Sequence, residues 1–193
     1  MAQTAANVFN ATPLVTGPAL WAPLGTAAPT NETTALNVAF KALGYVGEDG
    51  ITESNGRDIS KIKAFGGDTV KVVQTDHTLT YKLVLLESLN AEVLKAVYGE
   101  SNVTVTAATS STGEKIKVAK NAKTLPHKTW VFDVIDGDAK IRLHIPDGQI
   151  TTTGAVTLVH TGVISYDIEI ECFAVNGDKA YQYSDNGITT ATP

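Results

Sequence analysis

The residues that could hold a metal ion are scattered along this chain. It has four histidines, which are widely separated: His77, His127, His144 and His160. None has the His-Glu-x-x-His spacing that brings two imidazoles to one ion. Asp133, Asp136 and Asp138 cluster near one turn, but the twelve-residue spacing of a calcium loop and its terminal glutamate are absent. We predict no metal site and no cofactor.

The candidate nucleophiles also lack a catalytic setting. Cys172 is the single cysteine, so it cannot form an internal disulfide, and its alternating context predicts a small buried group. Gly66-Gly67-Asp68 lacks the Gly-Lys-Ser/Thr of a phosphate-binding loop and is followed by a strand pattern, which indicates a bulge or sharp bend. No Gly-x-Ser-x-Gly elbow is present. We predict that the protein is not an enzyme.

The composition is that of one globular domain. Hydrophobic residues make up 43% and charged residues 18% of the 193 residues. The formal net charge of −5 and the lack of a basic run argue against tight DNA binding. No apolar stretch approaches the roughly 20 residues of a membrane span. Residues 1–11 lack the features of a signal peptide, so we expect synthesis in a cytoplasm.

Turn dipeptides and β-prone segments predict an all-β, antiparallel sandwich or barrel. The turn dipeptides are Asp49-Gly50, Asn55-Gly56, Asp136-Gly137, Asp147-Gly148, Asn176-Gly177 and Asn186-Gly187. The strand candidates are residues 35–43, 59–65, 69–75, 78–86, 103–107, 115–119, 130–135, 140–145 and 163–174. Residues 89–98 predict one short flanking helix, capped by Ser88 or Asn90 and stopped by Gly99.

Two strands alternate clearly between an apolar and a polar face. In the first, Ile141, Leu143 and Ile145 predict a core face, and the opposite face is expected to be solvated or paired. That opposite face contains Lys140, Arg142 and His144. In the second, Tyr166, Ile168, Ile170 and Cys172 alternate with an acidic stripe, Asp167, Glu169 and Glu171. We expect Lys140 and Arg142 to be cross-strand partners of this stripe.

Two further regions stand apart from the strand pattern. Residues 1–33 contain Pro13, Pro18, Pro23 and Pro29, which oppose both a helix and a central strand, so we predict an extended arm preceding a domain of residues 34–193. For residues 47–57 we predict a polar loop that is too long for a tight hairpin, which indicates either mobility or a contact. The residues we select there are Gly47, Glu48, Asp49, Gly50, Glu53, Asn55 and Arg57.

An ordered series of segments resembles a known family. Residues 44–55 are followed by Ala-Phe-Gly-Gly-Asp at 64–68, Leu-Leu-Glu-Ser-Leu-Asn at 85–90 and Val-Tyr-Gly at 97–99. A weaker pattern, Gly-Val-Ile-Ser-Tyr, follows at 162–166. Together they make the chain from residue 37 to 183 similar to the major tail tube proteins of long-tailed, siphovirus-type bacteriophages.

The resemblance implies a subunit that works by self-assembly. It implies hexameric rings that stack into a tube in the virion tail, contacts with other tail proteins, and DNA that passes through without tight binding. It implies that residues 47–57 contact a neighbouring subunit or ring. It also offers a second interpretation of Asp167, Glu169 and Glu171, as lining of the channel instead of an ordinary solvated face.

Other functions remain open at this point. A carbohydrate-binding or adhesive β-sandwich of a virion or cell surface would present aromatic rings such as Tyr181 and Tyr183 on an exposed flat face. A jelly-roll enzyme would need a metal or acid/base group that the sequence does not provide. A contractile or secretion-system tube is closer to the favoured interpretation.

Overall fold

The structure, a computed structural model, describes residues 4–189. The first three residues of the predicted arm and the last four of the predicted domain lie outside the described residues. Eleven strands and one α-helix are found in the described range. In chain order they are β1 Thr12–Pro13, β2 Ala19–Pro23, β3 Lys41–Ala42, β4 Val46–Lys63, β5 Thr69–Leu85, α1 Ala91–Tyr98, β6 Val103–Thr106, β7 Lys115–Val118, β8 Lys128–Asp136, β9 Ala139–Thr153, β10 Tyr166–Cys172 and β11 Tyr181–Asp185.

Nine strands form one antiparallel sheet. Its order is β3-β2-β8-β9-β10-β5-β4, with β1 beside β8 and β11 beside β9. The remaining strands, β6 and β7, pair separately. The predicted all-β class with one short helix is confirmed, although the large sheet does not close into a barrel.

The large sheet curls around a single apolar core. Tyr81 on β5 and Phe132 on β8 are separated by two strands in the sheet order, yet their ring centroids lie 5.4 Å apart. Trp21 and Trp130 add a second aromatic contact at 5.9 Å. Because residues from both ends of the sheet bury their side chains together, the sheet has an inner and an outer face.

The helix packs its apolar side on this core. Asn90 caps α1 by accepting a hydrogen bond from the Glu92 amide at 2.9 Å, and Gly99 ends the helix at a positive φ of 92°. Val93 and Val97 are buried as predicted. Leu89, which we expected on the buried side, precedes the helix and is 86% exposed.

The N-terminal region is extended but paired with the sheet. Strand β2 lies between β3 and β8, so the expectation that prolines exclude a central strand here is wrong. The reason is position: Pro18 precedes β2 and Pro23 is its last residue, so neither ring removes a hydrogen bond from the strand's centre. The strand predicted at 35–43 is mostly loop, ending in the short β3.

The turn dipeptides give a mixed outcome. Asp136-Gly137 and Asn176-Gly177 form tight turns with positive φ, as predicted. The expected turn at Asp147-Gly148 is wrong, because both residues lie inside β9. A Cβ on Gly148 would lie 2.8 Å from Trp130 and 2.9 Å from Ile170, so this glycine permits close packing of neighbouring strands.

The polar segment at residues 47–57 is not a loop. Residues 47–50 bulge out of β4 between the paired positions Val46 and Ile51, and residues 51–57 pair with β5. The expected turns at Asp49-Gly50 and Asn55-Gly56 are therefore wrong. Gly50 instead supplies the positive φ of 69° that the bulge requires. The predicted strands 69–75 and 78–86 are one strand, β5.

Candidate assembly surfaces

The outer ends of β4 and β5 form a two-stranded ribbon that projects from the body. We call residues 59–73 the exposed ribbon; every residue in it is exposed. Its tip is a tight turn in which the Ala64 amide donates to Asp68 O at 2.8 Å and the Gly67 amide donates to Ala64 O at 3.0 Å. The predicted sharp bend at Gly66-Gly67-Asp68 is thus confirmed.

The exposed ribbon carries apolar side chains without a core to bury them. Phe65 at the tip is 110% exposed, more than in an extended reference peptide. The other large apolar residues exposed here are Ile59, Ile62, Val70, Val72 and Val73. An isolated two-stranded hairpin is only marginally stable in water. A projecting surface of this kind is typical of a site that another protein surface covers.

A large groove opens where the curled sheet fails to close. We call it the open groove; it lies between residues 11–18 and residues 44–53 and has a volume of about 860 Å³. Phe132, Val134 and Leu143 contribute apolar side chains from the interior of the sheet. Among the described strands β4 pairs only with β5, so its other edge is unpaired along this groove.

The open groove is negatively charged. Glu48, Glu53 and Glu87 line it, and its lining residues include no lysine, arginine or histidine. The Tyr81 hydroxyl donates to Glu53 Oε2 at 2.7 Å, and burial together with this hydrogen bond raises the pKa of Tyr81 above its ordinary value. Glu87 accepts hydrogen bonds from the Tyr45 amide at 3.1 Å and from Asn90 Nδ2 at 2.8 Å.

The seven residues selected from positions 47–57 fall into separate environments. Gly47, Glu48, Gly50 and Glu53 line the open groove. Asp49 lies beside a shallow depression that Asp167 and Glu169 also line, so parts of the two predicted sets are neighbours. The other two, Asn55 and Arg57, lie farther along β4.

The acidic stripe on β10 alternates with buried residues as predicted. Asp167 is exposed, and Glu169 and Glu171 are half-buried. The partner of Glu169 is Lys82 on β5, at 3.2 Å, so the predicted pairing with Lys140 and Arg142 is wrong. The register explains it: β10 meets only the far end of β9, from Gly148 to Thr153.

Arg142 belongs instead to a buried polar network on the outer face of the sheet. Its Nε and one terminal nitrogen both donate to Asp133, at 2.7 Å each. The other terminal nitrogen donates to the carbonyls of Thr34 at 2.6 Å and Asn31 at 3.2 Å. Arg142 therefore fastens the N-terminal region to the sheet, and its face is paired and not solvated.

His144 lies on the same face with one nitrogen unsatisfied. The Thr129 hydroxyl donates its proton to Ile145 O at 3.0 Å, so His144 Nε2–H donates to Thr129 at 3.2 Å and Nδ1 has no protein partner. Burial, together with the Arg142 charge, lowers the pKa of His144 from 6.5 to about 4.

The aromatic platform needed by a sugar-binding module is not formed by the two tyrosines we considered. Tyr181 and Tyr183 lie opposite His144 and Arg142 in the pairing of β11 with β9, and both are half-buried. The Tyr181 ring stacks on His144 at 6.2 Å. The Tyr181 ring therefore covers part of the polar network, and neither tyrosine is a fully exposed ring.

The residues first considered as a nucleophile or as metal ligands are buried in the fold or hydrogen-bonded within it. Cys172 is buried as predicted, and burial raises the pKa of its thiol to about 12. Asp133 is bound by Arg142, and Asp136 accepts the Asn10 amide at 2.8 Å. Among residues 4–189, no cluster of three or more His, Cys, Asp or Glu side chains is suited to holding a metal ion.

The sequence did not reveal the exposed ribbon or the open groove. Residues 59–65 and 69–75 were correctly predicted as strands, but their pattern does not show that they extend beyond the core. The only sign in the sequence that these strands extend beyond the core was that no other apolar segment is long enough to cover both of their faces. The groove is assembled from four parts of the chain, within residues 11–18, 44–53, 81–87 and 132–143, so no local pattern could predict it. No helix in the described range is long and apolar enough to cross a membrane.

Comparison with known proteins gives a family match and two solved structures of low similarity. A family model described as "Phage tail tube protein" matches residues 5–192. No curated protein matches. One similar solved structure is the anti-feeding prophage cap, the tube-terminating cap, with a TM-score of 0.46 and 9% identity over 96% of this chain and 100% of that chain. Another comes from the sheath–tube complex of an extracellular contractile injection system, PVC, in the extended state, with a TM-score of 0.42 and 7% identity over 95% of this chain and 100% of that chain.

Proposed function

Because the chain belongs to the phage tail tube protein family, we propose that it forms hexameric rings that stack into the tube of a long, siphovirus-type tail and that DNA leaves through this tube. Membership of the family makes its role structural and not enzymatic, and its place the virion tail. Self-assembly and contacts with other tail proteins follow from that role. Synthesis in the host cytoplasm precedes assembly in this proposal.

The observation that carries the proposal is the exposed ribbon. At about 3.3 Å per residue, β4 carries its tip roughly 40 Å beyond Ile51. That reach is comparable to the diameter of a small domain, about 30 Å. A ribbon of this length can contact a copy in the next ring, and such a contact would bury its apolar side chains.

Closed symmetry gives the unpaired strand edges of each copy a partner. Ring closure lets identical copies cover one another's exposed edges, which are otherwise sites of uncontrolled aggregation. In this proposal residues 34–193 form the tube domain and residues 1–33 the arm. Residues 47–57 form the contact between neighbours, through the bulge and the free edge of β4.

The channel wall is the second part of the proposal. Asp167, Glu169 and Glu171 line the bore and repel the phosphates of passing DNA, so the polymer slides without tight binding. Six copies of a chain with formal charge −5 give −30 per ring. Because Lys82 neutralises Glu169 within each copy, the stripe does not destabilise the ring by its own repulsion.

Negative-stain electron microscopy of the purified, concentrated protein tests the proposal. We expect hollow rods, or rings with six-fold symmetry when viewed end-on. Rods without a bore would contradict the tube. Rings of another symmetry would contradict the proposed six copies per ring. As a control, protein that has been denatured and then refolded by dilution should form the same assemblies, which shows that they come from folded chains.

A further inference from the structure

We infer that the open groove of one copy binds the tip of the exposed ribbon of a second copy. The inference rests on the proposed function, since it names the two surfaces that join neighbouring subunits. Both surfaces lie on β4, but the groove lining ends at Glu53 and the tip turn begins at Ala64. At about 3.3 Å per residue they are more than 30 Å apart along a paired, extended strand, so a chain cannot fill its own groove.

The charges of the two surfaces are complementary. The exposed ribbon carries three lysines, Lys61, Lys63 and Lys71, and one carboxylate, Asp68. The open groove carries three glutamates and no cation among its lining residues. Opposite charges of this kind fix orientation and select one docking site among the apolar patches of a surface.

The apolar parts also match. Phe65 at the tip needs a pocket, and the groove is lined by the half-buried apolar side chains of Val134 and Leu143 above the buried Phe132. Aromatic residues buried in such pockets supply much of the binding energy of protein interfaces. Gly66 and Gly67 beside Phe65 have no Cβ, which lets the tip backbone approach the groove wall closely.

The free edge of β4 adds a backbone contribution. Residues 47–50 are unpaired in the bulge, and three of them line the groove. Main-chain groups at such an edge can pair with an incoming strand. Because the donor and acceptor surfaces differ, the contact is head-to-tail, and repetition of it extends an assembly instead of ending it at a dimer.

Disulfide cross-linking between two single-cysteine variants tests the contact. One population carries Ala64→Cys, an exposed position in the tip turn that leaves Phe65 in place, and the other carries Val15→Cys, at a groove residue that is 106% exposed. A disulfide requires Cα atoms within about 7 Å, so the mixture should cross-link only if tip meets groove. The native Cys172 is buried and does not compete.

The matched control replaces the groove residue by Leu158→Cys, an exposed apolar position outside the groove lining. We expect the Ala64→Cys and Val15→Cys mixture to give at least tenfold more mixed dimer than the Ala64→Cys and Leu158→Cys mixture. Equal yields would overturn the inference. If the protein forms hollow rods but the two mixtures give equal yields of mixed dimer, this contact is contradicted and the proposed tube is not. If the cross-link is selective but no rods form, the contact is supported and the proposed tube is contradicted.

A charge exchange checks the electrostatic part independently. Lys61→Glu with Lys63→Glu in the tip population should lower the yield of mixed dimer, and Glu48→Lys in the groove population should restore it. A reduced yield that Glu48→Lys fails to restore, or an unchanged yield with the reversed tip, would contradict the charge pairing.

Discussion

At the scale of single residues, the buried pair of Arg142 and Asp133 shows how the N-terminal region is held. One guanidinium group satisfies a carboxylate and two backbone carbonyls of residues 31–34, and both side chains of the ion pair are less than a tenth exposed. Removing one member leaves the other charge buried without a partner, which costs far more than the pair itself contributes.

We predict that Arg142→Ala lowers the free energy of unfolding by about 3–5 kcal/mol. The double variant Arg142→Ala with Asp133→Ala should lose less than the sum of the two single losses, because it leaves no isolated charge. Urea unfolding at neutral pH measures both. Lys82→Ala, at the exposed pair with Glu169, is the control and should cost about 1 kcal/mol or less. Additive losses in the double variant would show that the pair is not coupled.

His144 makes stability depend on pH in a defined direction. Its pKa is about 4 in the folded chain and 6.5 in the unfolded chain, so the unfolded state takes up the proton first as pH falls. The stability that neutral His144 contributes is complete above pH 6.5 and is lost as pH falls to about 4.

We predict that His144→Gln removes this dependence, because glutamine can still contact Thr129 but does not titrate. Between pH 7 and pH 4 the stability of the native chain should fall by about 3 kcal/mol more than that of the variant. Chemical unfolding at several pH values gives the comparison, with the exposed His160→Gln as control. Parallel curves for native chain and His144→Gln would show that His144 is not the titrating group.

Sequence reasoning succeeded at single residues where the period of a strand determined burial. The alternation around Cys172 gave the buried and exposed sides of β10 correctly. It failed for the partners of the acidic stripe, because partners depend on strand order and register, and a single sequence does not specify either. Lys82 is almost ninety positions from Glu169, and only the sheet brings them together.

At the scale of elements, the helix and the long hairpin show opposite degrees of predictability. Local signals define α1, because its cap, apolar side and terminal glycine all lie within one segment. The β4–β5 hairpin depends on pairing across many residues, which overrides the turn preference of Asp49-Gly50 and Asn55-Gly56. Its outer half contributes nothing to the core, so its sequence is free to serve contacts with other copies.

We predict that the exposed ribbon is needed for assembly and not for folding. Replacing residues 59–75 by Asn-Gly joins the paired residues Asp58 and Asp76 by a two-residue turn. Because every replaced residue is exposed, the midpoint of urea unfolding should change little, while rods disappear in electron micrographs. The matched control shortens the β6–β7 connection by replacing residues 107–114 with Asn-Gly between Thr106 and Lys115, and it should still form rods. Normal rods from the ribbon variant would contradict its role.

At the scale of the whole molecule, the function depends on surfaces that a single copy leaves incomplete. The curled sheet remains open, one strand edge is unpaired, and the ribbon exposes apolar residues on both of its faces. The fold class could be predicted from turn and strand patterns. The opening in the sheet could not, because it results from how the edge strand β4 and residues 11–18 meet after folding.

The negative charge of the acidic stripe affects DNA passage only in the assembled tube. We predict that Asp167→Asn, Glu169→Gln and Glu171→Gln together leave tube length unchanged and slow DNA ejection, because the wall then repels phosphates less. Ejection kinetics from virions carrying the variant measure the effect. The control neutralises three exposed carboxylates elsewhere, Glu114, Asp138 and Asp185. Equal ejection rates for the native and triple-variant virions would contradict the proposal that the acidic stripe lines the channel.

A cryo-electron microscopy map of the assembled protein, into which the chain can be placed, tests the tube and the contact between copies together. The prediction is a central bore, the exposed ribbon of each copy covered by a neighbouring copy, and Phe65 in that neighbour's open groove. A map in which residues 59–73 remain in contact with solvent, or in which the copies enclose no bore, would contradict it.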